Sequence, residues 1–163
     1  MVAPVLEGRE GELRRELEAL PAGAASPLAA VAGLHFARWV IVPQLVYGAE
    51  PQKADVLDRP LLVFTSTFDG SVGEHVDALL AGLGDAADDI WTHCDGWPGR
   101  SGAASWLLDQ RQRTGLFVAA YPEATVDEVA RSLDARERLL TLAEDLYGAD
   151  ASETRRRFLE EFA

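Results

Sequence analysis

Two short stretches of the sequence place titratable side chains inside runs that otherwise have the composition of buried strands. The first, LHFARWVIV, covers residues 34–42 and holds His35 and Arg38 among apolar and aromatic side chains. This composition predicts a β-strand, whose successive side chains point to opposite faces of a sheet. The alternation assigns His35 and Trp39 to one face and Arg38 to the other, so only one of His35 and Arg38 can line a cavity.

Arg38 needs a partner because its guanidinium group stays charged at every physiological pH. Burying that charge alone is costly, so the sequence predicts a carboxylate, a bound anion or water beside it. Two interpretations stay open: a structural ion pair with an acid such as Asp69 or Asp95, or a cavity in which Arg38 orients an anionic or carbonyl group. His35 likewise is either a hydrogen-bonded structural histidine or a residue that contacts a ligand.

The second stretch, WTHCDGWPG at residues 91–99, holds the densest group of reactive side chains. Interpreted as the end of a strand, it places Trp91, His93 and Asp95 on one face, where the carboxylate would orient the imidazole as a general base. Cys94 would point to the opposite face, so we do not expect a Cys–His pair. The structural alternative is an Asp-Gly turn beside a partly exposed histidine and a cysteine that packs in the core.

Asp69 completes the candidate site, in the FDG turn that ends the strand predicted over residues 60–70. We predict that His93 acts as acid or base, that Arg38 anchors an anion or carbonyl group, and that Asp69 is the partner of Arg38. The predicted substrate-binding side chains come from the same two stretches: His35, Trp39, Trp91 and Asp95. His75, at the flank of an apolar helix stripe, is expected to face solvent.

Composition limits the partners of the chain. Its 163 residues carry a net charge of −12, which disfavours nucleic acid and anionic lipid because binding either requires clustered Lys and Arg. The single cysteine excludes an internal disulfide and a zinc site with several cysteine ligands. Neither a signal peptide nor a stretch of ~20 apolar residues is recognisable. We therefore expect a cytoplasmic protein with a small-molecule ligand, and neither nucleic acid nor membrane as a partner.

Hydrophobic periodicity and turn signals indicate the elements that must position these residues. Strands are expected over residues 34–42, 60–70, 88–96 and 115–122. Helices are expected over residues 9–20, after a Ser71–Glu74 capping box, over 101–112, after a Thr125–Glu128 capping box, and over 152–162. Because two strands precede the first internal helix, the order predicts an α+β fold with helices on one face of a mainly antiparallel sheet.

The expected organisation is an N-terminal helix and linker (residues 1–25), one α+β domain (26–148) and a helical tail (149–163). Residues 43–60 hold three prolines and are expected to form a loop, long enough to be a lid. An unpaired sheet edge would favour a homodimer, unless this loop covers the edge instead.

Four stretches together resemble a known type of domain: LHFARWVIV, LLVFTSTFDG, WTHCDGWPG and LFVAAYPEATVDEVARSLDARERL. They are similar to ferredoxin-like domains of the dimeric α+β barrel type, and loosely to the fold of dye-decolorizing peroxidases. The resemblance covers roughly residues 26–140. It implies two ferredoxin-like sheets, in one chain or across a homodimer, that close around a cavity. Of the peroxidases' G-x-x-D-G motif, this sequence matches the D-G step at Asp69.

Three functions are compatible with these observations. The first is a small enzyme, of the kind found in specialised biosynthesis, that acts on an organic metabolite in a barrel-type cavity. The second, implied by the resemblance, is a haem-binding, peroxidase-like protein with His93 or His35 as axial ligand and Arg38 on the distal side. The third is a non-catalytic ligand-binding or interaction domain whose polar strand residues hold ion pairs.

Overall fold

The computed structural model shows an α+β chain, as the sequence predicts, and describes residues 1–46, 48–51 and 56–162. The chain divides into two compact units, Met1–Ala120 and Tyr121–Ala163. The strands of the first unit are β1 (Val2–Pro4), β2 (Leu34–Val42) and β3 (Leu61–Phe68). Its helices are α1 (Glu10–Ala19), α2 (Val72–Leu83), α3 (Ala86–Trp91) and α4 (Ala103–Asp109), with 3-10 helices at Gly23–Ala25, Pro27–Ala30 and Arg100–Gly102. The second unit holds α5 (Val126–Asp145) and α6 (Ala151–Phe162).

The three strands form one antiparallel sheet in the order β1-β3-β2. In register, Ala3 lies opposite Leu62 and Trp39 lies opposite Phe64. β2 and β3 confirm the strands predicted from sequence, whereas β1 was not predicted because three residues are too few to show a periodicity. β3 is therefore the central strand and pairs with both of the other strands.

The alternation predicted for β2 is confirmed from Phe36 onwards. Trp39 packs against the hydrophobic core, whereas Phe36 is 76% exposed and Val40 is 42% exposed on the opposite face. A register shift between Leu34 and Phe36 interrupts the pairing with β3 at the start of the strand. One face of the sheet thus meets the core, and the other keeps apolar side chains at the surface of the first unit.

Aromatic rings join the core face of the sheet to the helices. Phe64 of β3 lies 4.9 Å from Trp39 and 6.4 Å from the wholly buried Trp91, measured between ring centroids. The core continues through Leu79 of α2 and Leu13 of α1. Such offset and edge-on ring contacts add to the burial of apolar area.

The strand predicted over residues 88–96 is wrong. The chain forms helix α3 there, and Trp91, His93 and Asp95 share no strand face, because the last two lie in the turns that follow the helix. Two physical causes favour the helix: acidic side chains in its first turn, and buried side chains at the spacing of Ala87, Ile90 and Trp91.

The strand predicted over residues 115–122 is also wrong for this structure. Leu116, Phe117 and Val118 have strand-forming side chains, but they are 82%, 66% and 80% exposed and adopt no regular structure. A strand needs a sheet edge with free backbone groups, and β1 already accepts a neighbour there: the Val2 N–H donates to the Gln110 carbonyl at 3.0 Å.

The helix predictions are confirmed, including both capping boxes. The predicted loop over residues 43–60 includes residues 47 and 52–55, which lie outside the described residues, as does residue 163 of the predicted tail. Within the described ranges, no helix is long and apolar enough to cross a membrane.

Gly82 lies where α2 packs against the 3-10 helix at Pro27–Ala30, so a substitution at Gly82 tests that packing. A Cβ atom at Gly82 would lie 2.6 Å from Val31 Cγ2 and 3.3 Å from the Pro27 carbonyl oxygen. We expect Gly82→Ala to lower the free energy of unfolding by about 1–3 kcal/mol in urea denaturation, because the methyl group must displace packed atoms.

Gly73→Ala in the first turn of the same helix is the matched control, since its Cβ would meet no atom within 4 Å. Alanine has the higher helix propensity, so this variant should gain up to about 1 kcal/mol. Equal stabilities of the two variants would contradict the close approach at Gly82.

Candidate functional site

A cavity of about 400 Å³ lies between β3, α2 and the chain that follows α4. Its volume is in the range of small-molecule sites. Apolar side chains form most of the wall: Val63, Phe64, Phe68, Val72, Val76, Leu79 and Leu107. Its polar lining residues include Ser66, His75, Arg111, Gln112 and Arg113. The cavity therefore suits a ligand with an apolar body and few polar groups.

Ser66 and His75 form the polar pair in the wall. Ser66 shares the core face of β3 with Phe64, because strand side chains repeat every two residues. His75 lies in the first turns of α2, and its Nε2 atom is 2.9 Å from Ser66 Oγ. The imidazole also stacks on the Phe68 ring, with centroids 3.8 Å apart. Its position is therefore held by a hydrogen bond and by a ring contact.

His75 is 5% exposed, and burial lowers its pKa below the ordinary value of 6.5. The ring is therefore neutral at neutral pH and keeps a nitrogen lone pair that can take up a proton. Among the described residues, His75 Nδ1 is buried and has no hydrogen-bond partner. Nε2, which contacts Ser66 Oγ, is therefore the ring nitrogen placed to exchange a proton with the cavity.

Arg111 and Arg113 bring positive charge to the same cavity. Both side chains belong to exposed residues that follow α4. Neither has an ion-pair partner in the part of the chain that the structure describes. Guanidinium groups bind carboxylates through parallel hydrogen bonds, so these two residues can hold the anionic end of a ligand.

The predicted general base, His93, lies outside this cavity. It is 4% exposed, and its Nδ1 accepts a hydrogen bond from Arg9 Nε at 3.1 Å, with a Glu12 carboxylate oxygen 3.9 Å away. Burial and, to a lesser degree, the charge of Arg9 lower its pKa. His93 thus tethers the start of α1 to the turn after α3. Burial also raises the pKa of the neighbouring Cys94 thiol to about 12, which leaves it a poor nucleophile.

Arg38 lies on the exposed face of the sheet, where its Nε donates to Thr65 Oγ1 at 3.3 Å. It lines a second depression, of about 450 Å³, with Phe36 and Thr67. Neither predicted ion pair of Arg38 is seen among the described residues, since Asp69 contacts His35 instead. The charge is solvated rather than buried.

The remaining predicted site residues make contacts outside the cavity. His35 Nε2 is 2.9 Å from Asp69 Oδ1, which joins the two ends of the β2–β3 pair. Asp95 forms an exposed ion pair with Arg59 at 2.9 Å. Trp39 and Trp91 pack in the core and do not line the cavity. The structure does not gather His93, Arg38 and Asp69 into one site.

The residues that do converge were not predicted as a site. His75 was expected to face solvent, and that expectation is wrong, because α2 turns it towards Ser66 and Phe68. The sequence did contain a signal for this pair, namely polar residues at positions expected in the core. Ser66 follows Leu62 and Phe64 at intervals of two, and His75 adjoins the buried Val76.

The predicted haem ligands do not fit a haem. Neither His93 nor His35 lines either of the two cavities described above, so neither faces a space that could receive the ring, and Nε2 of His35 is already 2.9 Å from Asp69 Oδ1. Within residues 1–46, 48–51 and 56–162, no group of three His, Cys, Asp or Glu side chains could hold a metal ion.

Comparisons with protein-family models, with curated proteins and with solved structures gave no match. The resemblance to dimeric α+β barrel domains therefore stays a prediction based on sequence motifs. The candidate function must come from the residues of the cavity themselves.

The low pKa of His75 links stability to pH. The unfolded chain binds a proton at this residue more readily than the folded chain, so the stability due to neutral His75 is present above pH 6.5 and is lost as pH falls below it. We expect the free energy of unfolding to decline below that pH by at most about 1.4 kcal/mol per pH unit for each such histidine.

Urea denaturation at several pH values measures this slope, and His75→Gln should make it shallower. Ser66→Ala is the control, because it leaves the imidazole buried and should leave the slope in place. An unchanged slope in His75→Gln would contradict the assignment.

Proposed function

We propose that the cavity binds a small organic anion and that His75 exchanges a proton with it through Ser66. The observation that carries the proposal is the 2.9 Å contact between Ser66 Oγ and a buried, neutral His75 in the wall of an apolar cavity. Arg111 and Arg113 supply the anchor for the negative charge. The proposed reaction class is the one expected from the sequence: acid–base chemistry on an organic metabolite that arginine anchors. The residues to which it is assigned are different.

The proton transfer needs two coupled steps. Ser66 Oγ takes a proton from the ligand while His75 Nε2 takes the hydroxyl proton of Ser66. The products are an imidazolium and a ligand that carries one more negative charge. A buried imidazolium alone would be costly, and the new negative charge beside it offsets that cost. A carbon acid next to a carbonyl group is the ligand type that can supply such a proton.

A non-catalytic binding protein is the second candidate. The observation that favours it is the absence, among the described residues, of a hydrogen-bond partner for His75 Nδ1. Histidine bases are commonly oriented by an acceptor at the second nitrogen, which also stabilises the imidazolium. Without one, the Ser66–His75 pair would recognise the ligand without moving a proton.

We also propose a ferredoxin-like, homodimeric arrangement for the first unit. The sheet order β1-β3-β2, with α1 between β1 and β2 and α2 after β3, supports this proposal. The exposed apolar face that includes Phe36 and Val40 supports a second copy as the partner. A cytoplasmic location belongs to the same proposal.

If Arg111 and Arg113 anchor the ligand, the cavity should bind an anion more tightly than a neutral molecule of the same shape. In NMR titrations, the double variant Arg111→Gln/Arg113→Gln should bind phenylacetate about tenfold more weakly, because a charged contact is lost, and should bind the neutral phenylacetamide as before. The double variant Arg14→Gln/Arg15→Gln, which removes the same two charges at exposed positions of α1, is the control. Equal losses for both probes would contradict charge recognition at this cavity.

Phenylpyruvate tests the proton transfer, since it combines a carboxylate, an aromatic ring and an acidic methylene group. We expect the protein to accelerate exchange of the methylene protons for deuterium, followed by NMR in heavy water. His75→Gln and Ser66→Ala should each lower that rate at least about tenfold while phenylpyruvate still binds. Binding without acceleration in the unmodified protein would favour the non-catalytic candidate.

A further inference from the structure

Residues 115–120, with the sequence GLFVAA, form an exposed apolar segment after α4. Its three large side chains, Leu116, Phe117 and Val118, are 82%, 66% and 80% exposed. Contiguous exposed apolar residues mark surfaces that another molecule covers. The composition favours a strand, and the segment contains neither proline nor charge. What it lacks is a sheet edge to pair with.

The nearest edge is closed. The outer side of β1 is bonded at both ends: the Val2 N–H donates to the Gln110 carbonyl at 3.0 Å, and the Asp95 N–H donates to the Pro4 carbonyl at 2.9 Å. A strand formed by the segment could not join β1 without displacing these bonds.

Among the described residues, the opposite edge of the sheet is open. β2 is nine residues long, and beyond its first residue no backbone hydrogen bond of the described chain reaches its outer side. Edge strands are commonly protected by charge, proline, a bulge or a very short length. β2 is nine residues long and holds no proline, its register shift is confined to its start, and its one permanent charge is Arg38. From Phe36 onwards its outer side is therefore an edge to which another strand could be added.

The segment cannot start a strand there within its own chain. Gln110 is held outside β1, and the outer side of β2 lies four strand positions away, or about 19 Å. The five residue steps from Gln110 to Gly115 span about 17 Å when fully extended, without any path around the sheet. A second copy has no such restriction.

We propose that this chain forms a dimer in which residues 115–120 of each copy add as a strand to the outer edge of β2 of the other. The exchange is reciprocal, so two-fold symmetry closes the assembly at two copies. It gives the homodimer proposed above a specific interface and is independent of which ligand the cavity binds.

The charge of the two strands and the apolar area that they expose are compatible with a second copy of the chain as the partner. The chain has 27 acidic residues, yet neither β2 nor the segment contains one, so the two strands meet without repulsion in a protein of net charge −12. Leu116, Phe117 and Val118 from each copy, with Phe36 and Val40 of the acceptor strand, make on the order of 1,000 Å² available. That is near the lower limit for a specific interface.

The test combines light scattering after size exclusion with amide hydrogen exchange. We expect a dimer in which the amides of residues 116–118 and of β2 are protected, and loss of that protection on dilution to the monomer. Phe117→Asp should raise the dissociation constant at least about tenfold, because a charge would enter the new core. Tyr147→Asp, the same charge at a side chain that is 96% exposed, should change nothing.

The other outcomes separate the proposals. A dimer with unprotected amides at residues 116–118 would overturn the strand exchange and leave the homodimer standing. A monomer at every concentration would overturn both. Protection that persists in the monomer would show that the segment pairs within its own chain, and would overturn the exchange. None of these results bears on binding of phenylacetate.

Discussion

The pairing of β3 with both of its neighbours is the constraint on which the first unit depends. Because β3 is the central strand, its alternation sets which side chains meet the core: Leu62 and Phe64 are buried against aromatic rings, and Ser66 follows them on the same face. A slip of one residue would turn all three outwards. The register of β3 therefore fixes the core and one wall of the cavity together.

The polar pair lies where that apolar row ends. Ser66 continues the row with a hydroxyl group, and α2 brings His75 to it, so a buried imidazole is satisfied at one nitrogen by the strand itself. Burial keeps the ring neutral, and the Phe68 ring covers its face. The same arrangement that stabilises a buried histidine leaves it with the protonation state of a base.

Polar residues near the sheet mostly hold elements together. His93 is bonded to Arg9, His35 to Asp69, and Asp95 to Arg59. Each contact joins residues that are far apart in sequence, and each uses a side chain whose type alone suggested chemistry. A titratable residue in an apolar run therefore indicated a need for a partner, which is a structural as much as a functional signal.

Local signals in the sequence determined α1, β2, β3 and the helices behind the two capping boxes, because periodicity and capping act within a few residues. Only tertiary structure decided the rest. Residues 86–91 became a helix because their apolar side chains reach the core at helical spacing, and residues 115–120 stayed unpaired because a strand needs an edge that the sequence does not reveal. Ser66 and His75 meet for the same reason: packing of α2 on β3 is a contact between distant elements, which no local pattern encodes.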